Sequence, residues 1–536
     1  MRAFARTPIL LSLAIPCMIT ASGSGSGSVP AQRPFDISSR QDVERYDDDK
    51  VWRIDWGEMD SSKKKEVMDV VELLDLDVWH TSQRSIDIRL NPKQLEVLYG
   101  YLPNEAFHPF INDLQSLVEL SSVPEEVYDY IPSHLSGEAR QESVDRELFE
   151  LMKKKKKKGK GRTKPKPSLP PIDPYNLTTI DTPFHDKFHS LGEMYKFGDT
   201  LISTFNDTHQ NTSGIHIKEI EIGKTYENRT IKGWSAKIHH NKTGEGDPGY
   251  PTAMVDEDEV ELEYVVIAGQ HGREWVGPSS ALYFLHHLLL RASEDPKSDS
   301  AILLRSFRFT VIPQINPDGY EYSRDKSRMW RKNRQDVGGK GKCLGIDLNS
   351  NWGYKWRSSK STACSEGYGG REAFEAYETK AMSEYLSGAA ERGNRVRAFV
   401  DLHSYGQLFM FPFAHSCDDF PPDAEMLMEA GLGVAKAMRT KRGEGYEAGQ
   451  ACDLTYRAPG DAIDYTYGVT DVRWSYSAEL RDTGTYGFML PPKLIRPTAD
   501  EITAGLMYLA KFIYALEVNP PYSVCLRELV NRFLGK

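Results

Sequence analysis

The sequence lacks an excess of positive charge, an internal repeat and any long apolar stretch beyond its first residues. Its 67 Lys and Arg residues are outnumbered by 77 Asp and Glu residues, which gives a formal net charge of −10. That balance argues against a general nucleic-acid binder. The 536 residues, 39% of them hydrophobic, suffice for one large domain with a sizeable core and a smaller second domain.

Residues 1–28 have the composition and order of a secretory signal peptide. Arg2 and Arg6 precede an apolar run from Ile9 to Ile19, and small residues follow. A short membrane anchor is the alternative, but the run is too short to span a bilayer comfortably. We therefore expect a secreted protein without a membrane anchor, found outside the cell or in a vacuole.

Sequons and cysteines agree with secretion. Five Asn-x-Ser/Thr sequons predict glycosylation, at Asn176, Asn206, Asn211, Asn228 and Asn241. Four cysteines clustered in the C-terminal region suggest two disulfide bonds, in one of three pairings: Cys343, Cys364, Cys417 and Cys452. Cys17 lies in the predicted signal peptide, and Cys525 is left as a free thiol or a contact with a partner.

Residues 49–120 predict a small α/β module. Val51 to Trp56 and Ser85 to Leu90 alternate apolar and polar residues as strands do, and Lys63 to Leu74 has the apolar spacing of a helix. Phe110 to Leu120 is predicted to be the last pairing segment of this module.

Residues 121–182 are rich in charge and proline and contain six consecutive lysines, Lys153 to Lys158. Blocks of like charge repel each other and stay disordered. A tail that binds nucleic acid or heparin is one interpretation. An exposed linker, cut by a protease specific for basic residues, fits the secretory context better.

Residues 183–518 alternate strands and helices, followed by a tail at 519–536. Apolar strands are predicted at Glu261 to Ala268, Arg397 to Leu402 and Trp474 to Leu480, with a helix over Trp275 to Leu290. This alternation predicts an α/β domain with a mixed central sheet and helices on both faces.

Candidate metal ligands follow two of these strands. His271 and Glu274 lie three residues apart at a strand-to-helix turn, and His403 ends another apolar strand. Strands that end at one edge of a sheet can bring such groups together. Two His and one carboxylate leave the fourth position of a catalytic zinc site open, but each fragment alone is a weak signal.

The order of motifs around these residues resembles the zinc metallocarboxypeptidases of the carboxypeptidase A/B family. The matching segments are His271-Gly-Arg-Glu-Trp-Val, Asn316-Pro-Asp-Gly-Tyr320, Trp330-Arg-Lys, Asp347-Leu-Asn-Ser-Asn-Trp352, His403-Ser-Tyr405, Thr455-Tyr456 and Glu479-Leu-Arg-Asp-Thr-Gly484. The resemblance runs from about Pro183 to Glu517 and takes in residues 49–120, which are similar to the family's inhibitory propeptide. It implies a carboxypeptidase A-like fold, one Zn²⁺ per chain and activation by cleavage in the linker; we expect a monomer.

The resemblance also assigns roles near the metal. His271, Glu274 and His403 would bind zinc, and Asp347 would accept a hydrogen bond from His271. Glu479 would be the general base towards a water molecule that the zinc ion activates. Arg331 would stabilise the oxyanion.

Substrate contacts are implied in the same way. Asn349 and Tyr456 would hold the free C-terminal carboxylate, while Arg273 and Tyr405 would contact more distant parts of the substrate. Ile463 falls where the family sets side-chain preference and favours apolar or aromatic C-terminal residues; Asp461, two positions away, could instead attract a basic one. The resemblance supports the pairing Cys343–Cys364, and Cys417–Cys452 is then the natural second bond.

One position departs from the family pattern. Ser350 stands where the family has the Arg that clamps the substrate carboxylate. Three explanations are open. Another cation, such as Arg457, could substitute for the missing Arg, or the substrate could have a modified or differently charged end. Alternatively, the chain could be a poor catalyst that keeps its zinc site.

Three functions compete. The first is a zymogen that removes C-terminal residues from peptides or proteins. The second is an impaired carboxypeptidase-like protein, as in fungal cell-wall biogenesis; that group is reported to lose the general-base Glu. Glu479 is present here and favours activity. The third is a purely structural secreted glycoprotein.

Overall fold

The computed structural model describes residues 43–102, 106–122, 173–206, 214–239, 260–338, 343–358 and 362–519. The predicted signal peptide, most of the basic linker with its six lysines, and nearly all of the C-terminal tail lie outside these residues. So do Cys17, Cys525, Asn211 and Asn241. No helix in the described ranges is both long and apolar enough to cross a membrane.

The N-terminal module is a four-stranded antiparallel sheet in the order β2-β3-β1-β4. Its strands are β1 (Lys50–Asp55), β2 (Asp77–Thr81), β3 (Ser85–Leu90) and β4 (Phe107–Ile111). Its helices are α1 (Ser61–Leu73), α2 (Pro92–Leu98) and α3 (Leu114–Ser121). Ile86 and Ile88 of β3 pack with Val67 and Val71 of α1 in a hydrophobic core of the module's own.

The predicted pairing segment from Phe110 to Leu120 is wrong in most of its length. The strand ends at Ile111, and a helix begins at Leu114. Asp113 caps that helix, because its Oδ1 accepts a hydrogen bond from the Ser116 N–H at 2.9 Å. A side-chain acceptor at this position satisfies an N–H that has no partner within the helix, which favours the helix over an extended strand.

The C-terminal part contains an eight-stranded mixed sheet in the order β11-β10-β12-β9-β7-β8-β6-β5. Its strands are β5 (Ile215–Lys224), β6 (Thr230–Ile238), β7 (Glu261–Ala268), β8 (Arg308–Ile312), β9 (Asn394–Ser404), β10 (Leu408–Phe411), β11 (Glu447–Gln450) and β12 (Trp474–Leu480). The central strands β12, β9, β7 and β8 run parallel, whereas β5, β6 and β10 join antiparallel neighbours.

Helices cover both faces of this sheet, which confirms the predicted fold class. They are α4 (Leu191–Phe205), α5 (Val276–Glu294), α6 (Asp299–Ser306), α7 (Pro317–Asp325), α8 (Tyr377–Ser387), α9 (Ala424–Arg442), α10 (Ala451–Leu454), α11 (Ala462–Gly468) and α12 (Ile495–Ile513). Alternate residues of β7 enter different cores: Val266 packs in one cluster and Val265 and Ile267 in the other. A strand buried on both faces is a nearly continuous apolar run, as Tyr264 to Ala268 of β7 are.

Both predicted disulfide bonds are present, Cys343–Cys364 and Cys417–Cys452. The first encloses the segment that carries Asp347, Asn349 and Ser350. It restrains the ends of that segment beside the sheet edge at which the candidate site lies.

Candidate active site

Three parallel neighbouring strands end at one edge of the sheet and carry the candidate site. In the register of the sheet, Leu402 of β9 lies beside Ala268 of β7, and His403 lies beside Glu479 of β12. Polar residues at or just after these strand ends therefore converge, although His403 and Glu274, for example, are 129 positions apart along the chain.

The turn after β7 needs glycine and positions the first two ligands. Gly269 has φ of +73°, and a Cβ there would lie 2.0 Å from Oε1 of Gln314. Only glycine adopts this conformation so close to another side chain. The chain then passes through His271 and Glu274 before α5 begins at Val276.

His271, Glu274 and His403 form one buried cluster whose potential ligand atoms all lie within 4.8 Å of one another. His403 Nδ1 lies 3.3 Å from His271 Nδ1 and 3.1 Å from a Glu274 oxygen. His271 Nδ1 lies 2.6 Å from the other Glu274 oxygen. Nitrogens about 2.0–2.1 Å from a tetrahedral zinc ion are about 3.3 Å apart, so the histidine pair fits such an ion.

Two further carboxylates determine which atoms of the histidines face inwards. Asp347 Oδ1 lies 3.1 Å from His271 Nε2, and Asp401 Oδ2 lies 2.8 Å from His403 Nε2. A carboxylate only accepts, so each Nε2 carries the proton of the neutral ring and each Nδ1 presents a lone pair. Two lone pairs and a carboxylate then point at one another, an arrangement that a bound cation satisfies.

The electrostatics of the cluster agree with this. Burial opposes the charged form of His403, yet Asp401 and Glu274 raise the pKa of His403 well above its usual value. Burial likewise opposes ionisation of Glu274, but His271 and His403 lower its pKa. The site thus concentrates negative charge around the two histidines, as the donor set of a divalent metal does.

Glu479 and Arg331 lie beside the cluster. Glu479 Oε2 is buried and has no hydrogen-bond partner among the described residues. Burial raises the pKa of Glu479 to about 8, a shift that His403 opposes and Glu274 increases. Arg331 Nη2 donates to Asp347 Oδ2 at 3.1 Å. The guanidinium is therefore held against the same carboxylate that contacts His271.

The residues predicted to contact the substrate's end occupy the 347–351 segment, α11 and the loop that precedes α11. Ser350 Oγ donates to Asp347 Oδ2 at 2.8 Å, and Asn349 Nδ2 donates to Asp461 Oδ2 at 2.8 Å. Ile463 is fully buried in the second hydrophobic cluster. Tyr456 is 46% exposed, and its hydroxyl interacts electrostatically with Arg331.

Arg457, one of the cations considered for the missing clamp, is used elsewhere. Its Nη2 lies 2.8 Å from Asp418, on the surface. Arg331, by contrast, pairs with Asp347 of the 347–351 segment at 3.1 Å.

The N-terminal module covers two predicted substrate residues, Arg273 and Tyr405. Arg273 is fully buried, and its Nη1 donates to Asp77 Oδ1 of β2 at 2.7 Å. His80 of β2 stacks on the Tyr405 ring, with centroids 5.7 Å apart, and Trp79 meets the same ring edge-on. Strand β2 therefore lies across this end of the candidate site.

Sequence reasoning missed Asp401 and Gln270. Asp401 lies two residues before His403, on the same face of β9, and Gln270 Nε2 donates to both Asp401 and Asn349. An acidic residue at that spacing, inside an otherwise apolar strand, was the available signal, because burying a carboxylate without a partner is costly.

We expect Asp401→Asn to lower zinc affinity about 10–100-fold. Loss of a carboxylate that orients a metal-binding histidine typically has this effect. Competition with a chromophoric chelator measures the affinity. Asp418→Asn is the matched control, because the side chain of Asp418 is 85% exposed and far less constrained. Equal zinc affinities in the two variants would contradict the role given to Asp401.

Comparison with known proteins adds an independent line of evidence. The family profile described as "Zinc carboxypeptidase" matches residues 202–505. A protein named inactive metallocarboxypeptidase ecm14 from Talaromyces marneffei is 28% identical over 514 residues, 92% of this chain and 76% of that protein. Its namesake from Paracoccidioides brasiliensis is 30% identical over 491 residues, 88% of this chain and 73% of that protein.

Solved structures agree on the fold. Carboxypeptidase A from Helicoverpa armigera superposes with a TM-score of 0.64 at 23% identity, covering 88% of this chain and 99% of that one. The profile match extends over 304 of 536 residues and takes in the metal cluster and Glu479. This chain belongs to the zinc carboxypeptidase family.

Proposed function

We propose that this protein is a secreted metallocarboxypeptidase, made as a zymogen, that hydrolyses the C-terminal peptide bond of peptides or proteins. The observation that carries the proposal is Glu479, which lies beside His403 at the edge that holds the metal cluster and has one buried oxygen, Oε2, without a hydrogen-bond partner among the described residues. A general base must lie within reach of the reacting water, and the position of Glu479 beside the metal-binding candidate His403 supports that role.

Zinc, held by His271, Glu274 and His403, would supply a Lewis acid that activates water and polarises the scissile carbonyl. Glu479 would accept a proton from water and pass it to the leaving amine. The guanidinium of Arg331 would donate to the oxygen on which negative charge develops. Asp347 holds both His271 and Arg331, so it would keep the metal ligand and the oxyanion donor in a fixed relation.

The second candidate is a carboxypeptidase-like protein without activity, with a retained zinc site and a role in fungal cell-wall biogenesis. The names of the two fungal relatives above favour it, since both are called inactive. Glu479, Arg331 and the full set of metal ligands favour the active enzyme instead.

The contacts of the N-terminal module support the zymogen. A peptide lying past the metal would need the surface of Arg273 and Tyr405, which β2 covers. Removal of the module by cleavage in the basic linker, between about Lys153 and Lys166, would expose that surface. Secretion is supported by the two disulfide bonds and by the exposed sequon residues Asn176 and Asn228.

The test is hydrolysis of peptides with free and blocked C-termini, before and after cleavage by trypsin, with zinc measured in parallel. The proposal expects turnover of C-terminal residues only by zinc-loaded, cleaved protein. Zinc-loaded, cleaved and folded protein that hydrolyses none of a broad peptide set would favour the inactive alternative.

Ser350→Arg should raise kcat/KM on ordinary peptides at least about tenfold. A guanidinium gives a charged, often bidentate hold on a carboxylate, and hydrogen bonds to charged groups contribute roughly 1.5–3 kcal/mol each. Ser350→Lys is the comparison that adds charge without the bidentate geometry. If wild type already cleaves ordinary C-termini efficiently and Ser350→Arg gains nothing, another group holds the carboxylate.

A further inference from the structure

Two exposed aromatic side chains beside a sequon take no part in the candidate active site. Tyr226, in the loop between β5 and β6, is 45% exposed, and Tyr377, the first residue of α8, is 50% exposed. Their rings meet edge to face, with centroids 6.1 Å apart and planes at 72° to each other. A group that covered both rings would stabilise the protein, because apolar surface gains free energy when it leaves water.

The loop that carries Tyr226 is a short hairpin turn. The Asn228 N–H donates to the Thr225 carbonyl, and the Thr225 N–H donates to the Arg229 carbonyl, both at 2.9 Å. Asn228 has φ of +63°. A three-residue hairpin loop commonly ends in a residue of positive φ, for which glycine has no steric cost and asparagine is tolerated. This turn therefore has an asparagine at a position that favours glycine.

One buried carboxylate fixes the loop to the body of the domain. Asp318 of α7 accepts from Thr225 Oγ1 and from the Glu227 N–H, each at 2.8 Å, and from Arg229 Nη1 at 2.7 Å. Asp318 and Thr225 are buried, whereas residues 226–228 are exposed. The exposed part of the loop is thus short and held at its base.

Helix α8 lies against the same hairpin. A Cβ at Gly223 of β5 would lie 2.7 Å from the Cβ of Ala381 of α8. The backbones of the two elements are therefore close, and this places the exposed ring of Tyr377 beside that of Tyr226. Together the two rings form an aromatic corner shared by the loop and the helix.

Asn228 differs from the other sequon asparagines that the structure describes. Asn206 is half-buried, and its Oδ1 accepts from the Ile217 N–H at 2.7 Å. Asn176 Oδ1 accepts from Thr178 Oγ1 at 2.8 Å. The Asn228 side chain is exposed and makes no hydrogen bond within the described residues. Its amide is free to carry a glycan.

A sugar attached to Asn228 would begin next to the aromatic corner. Two residues of chain span at most about 7 Å, so Tyr226 lies within reach of the first sugar residues. One face of a pyranose presents C–H groups with partial positive charge, and the face of an aromatic ring is negative. Stacking of the sugar on the ring covers both apolar faces and leaves the sugar hydroxyls in water.

We propose that Tyr226 and Tyr377 bind the first sugar residues of an N-linked glycan on Asn228, and that this glycan joins the β5–β6 loop to α8. Attachment forms a bond from Asn228 Nδ2 to the anomeric carbon of a lipid-linked oligosaccharide; the lipid diphosphate leaves, and the nitrogen loses one proton. The inference rests on the proposed secretion, since N-glycans are added in the secretory pathway. It does not depend on the catalytic activity.

The test uses the full chain secreted by a eukaryotic host, as wild type and as Asn228→Gln. Trypsin releases residues 225–229 as one peptide, so mass spectrometry reads glycan occupancy and modification of Tyr226 together. Nitration of Tyr226 and Tyr377 by tetranitromethane should be about three- to tenfold slower in wild type, the protection expected from a contact of aromatic strength. Tyr101, 48% exposed in the N-terminal module, should react equally in both proteins.

A double-mutant cycle separates the contact from the attachment. In the presence of Tyr226→Ala, adding Asn228→Gln should change nitration of Tyr377 by less than about twofold. In the presence of Tyr226→Phe, which keeps the ring, it should change nitration as much as in wild type.

An occupied Asn228 with protected rings supports the inference whether or not the protein hydrolyses peptides. Equal nitration of Tyr226 in glycosylated wild type and in Asn228→Gln would overturn it. So would an empty Asn228 in a protein whose other sequons are occupied, and in that case the proposed secretion would stand. If no sequon is occupied in the secreted chain, the inference fails together with the glycosylation predicted from the sequence.

Discussion

Glu479→Gln is expected to lower kcat by about 10²–10⁴-fold while one zinc ion per chain stays bound. The change is nearly isosteric and removes only the ability to accept a proton, and a positioned general base typically contributes a factor of this size. Glu479 is not a member of the metal cluster, whose ligand atoms come from His271, Glu274 and His403. This variant should therefore keep its zinc and lose most of its turnover.

The measurement is single-substrate kinetics on cleaved protein, with zinc determined on the same sample. Glu425→Gln is a suitable control, because Glu425 is exposed in the first turn of α9, away from the site. A kcat within about threefold of wild type in Glu479→Gln would mean that another group takes the proton. Loss of zinc would mean that Glu479 belongs to the metal site.

The strand ends of the site could be predicted from the sequence, because each combines an apolar run with a polar residue at or near its end. Packing of the strand alone does not explain such a residue. Glu261–Ala268 and Trp474–Leu480 have the predicted bounds. Strands of this kind are buried on both faces, so their composition alone distinguishes them. The motif order then places His271, His403 and Glu479 at strand ends without a structure.

Contacts between distant segments could not be predicted in the same way. Asp401 is visible in the sequence, but its role depends on a shared network with Gln270 and Asn349 that only the packed sheet edge creates. The helix over Leu114–Ser121 was missed because the spacing of its apolar residues suits a helix or a strand. The cap at Asp113 decides in favour of the helix.

The docking of the N-terminal module on the C-terminal part also depends on contacts between distant segments. Asp77 and Arg273 are 196 positions apart and form an ion pair of 2.7 Å between side chains that are 8% and 1% exposed. Asp77 also accepts from Trp79 Nε1 and pairs with Arg89 of its own module. Arg273 and Arg89 lower the pKa of Asp77 despite burial, so the carboxylate is ionised where the module meets the enzyme.

From this pair we predict that Asp77→Asn raises the activity of the uncleaved chain about 30-fold or more, towards that of the cleaved enzyme. Removing one partner of a buried, hydrogen-bonded ion pair costs roughly 2–5 kcal/mol, largely because the other charge stays buried and unpaired. A loss of about 2 kcal/mol shifts the equilibrium constant between the docked and the undocked module about 30-fold towards the undocked state. The asparagine oxygen can still accept from Trp79, so the module should keep its fold, which its tryptophan fluorescence would report.

Asp55→Asn makes the same chemical change on the module's outer surface, where Asp55 is 59% exposed beside His108, and should leave the uncleaved chain inhibited. After trypsin cleavage all three proteins should have equal activity, because the substitutions lie in the part removed. Uncleaved Asp77→Asn that stays as inactive as uncleaved wild type, with an active cleaved form, would show that the ion pair does not hold the module. If uncleaved wild type is as active as the cleaved enzyme, the module does not inhibit. Substrate would then reach the surface of Arg273 and Tyr405 although the module is still attached.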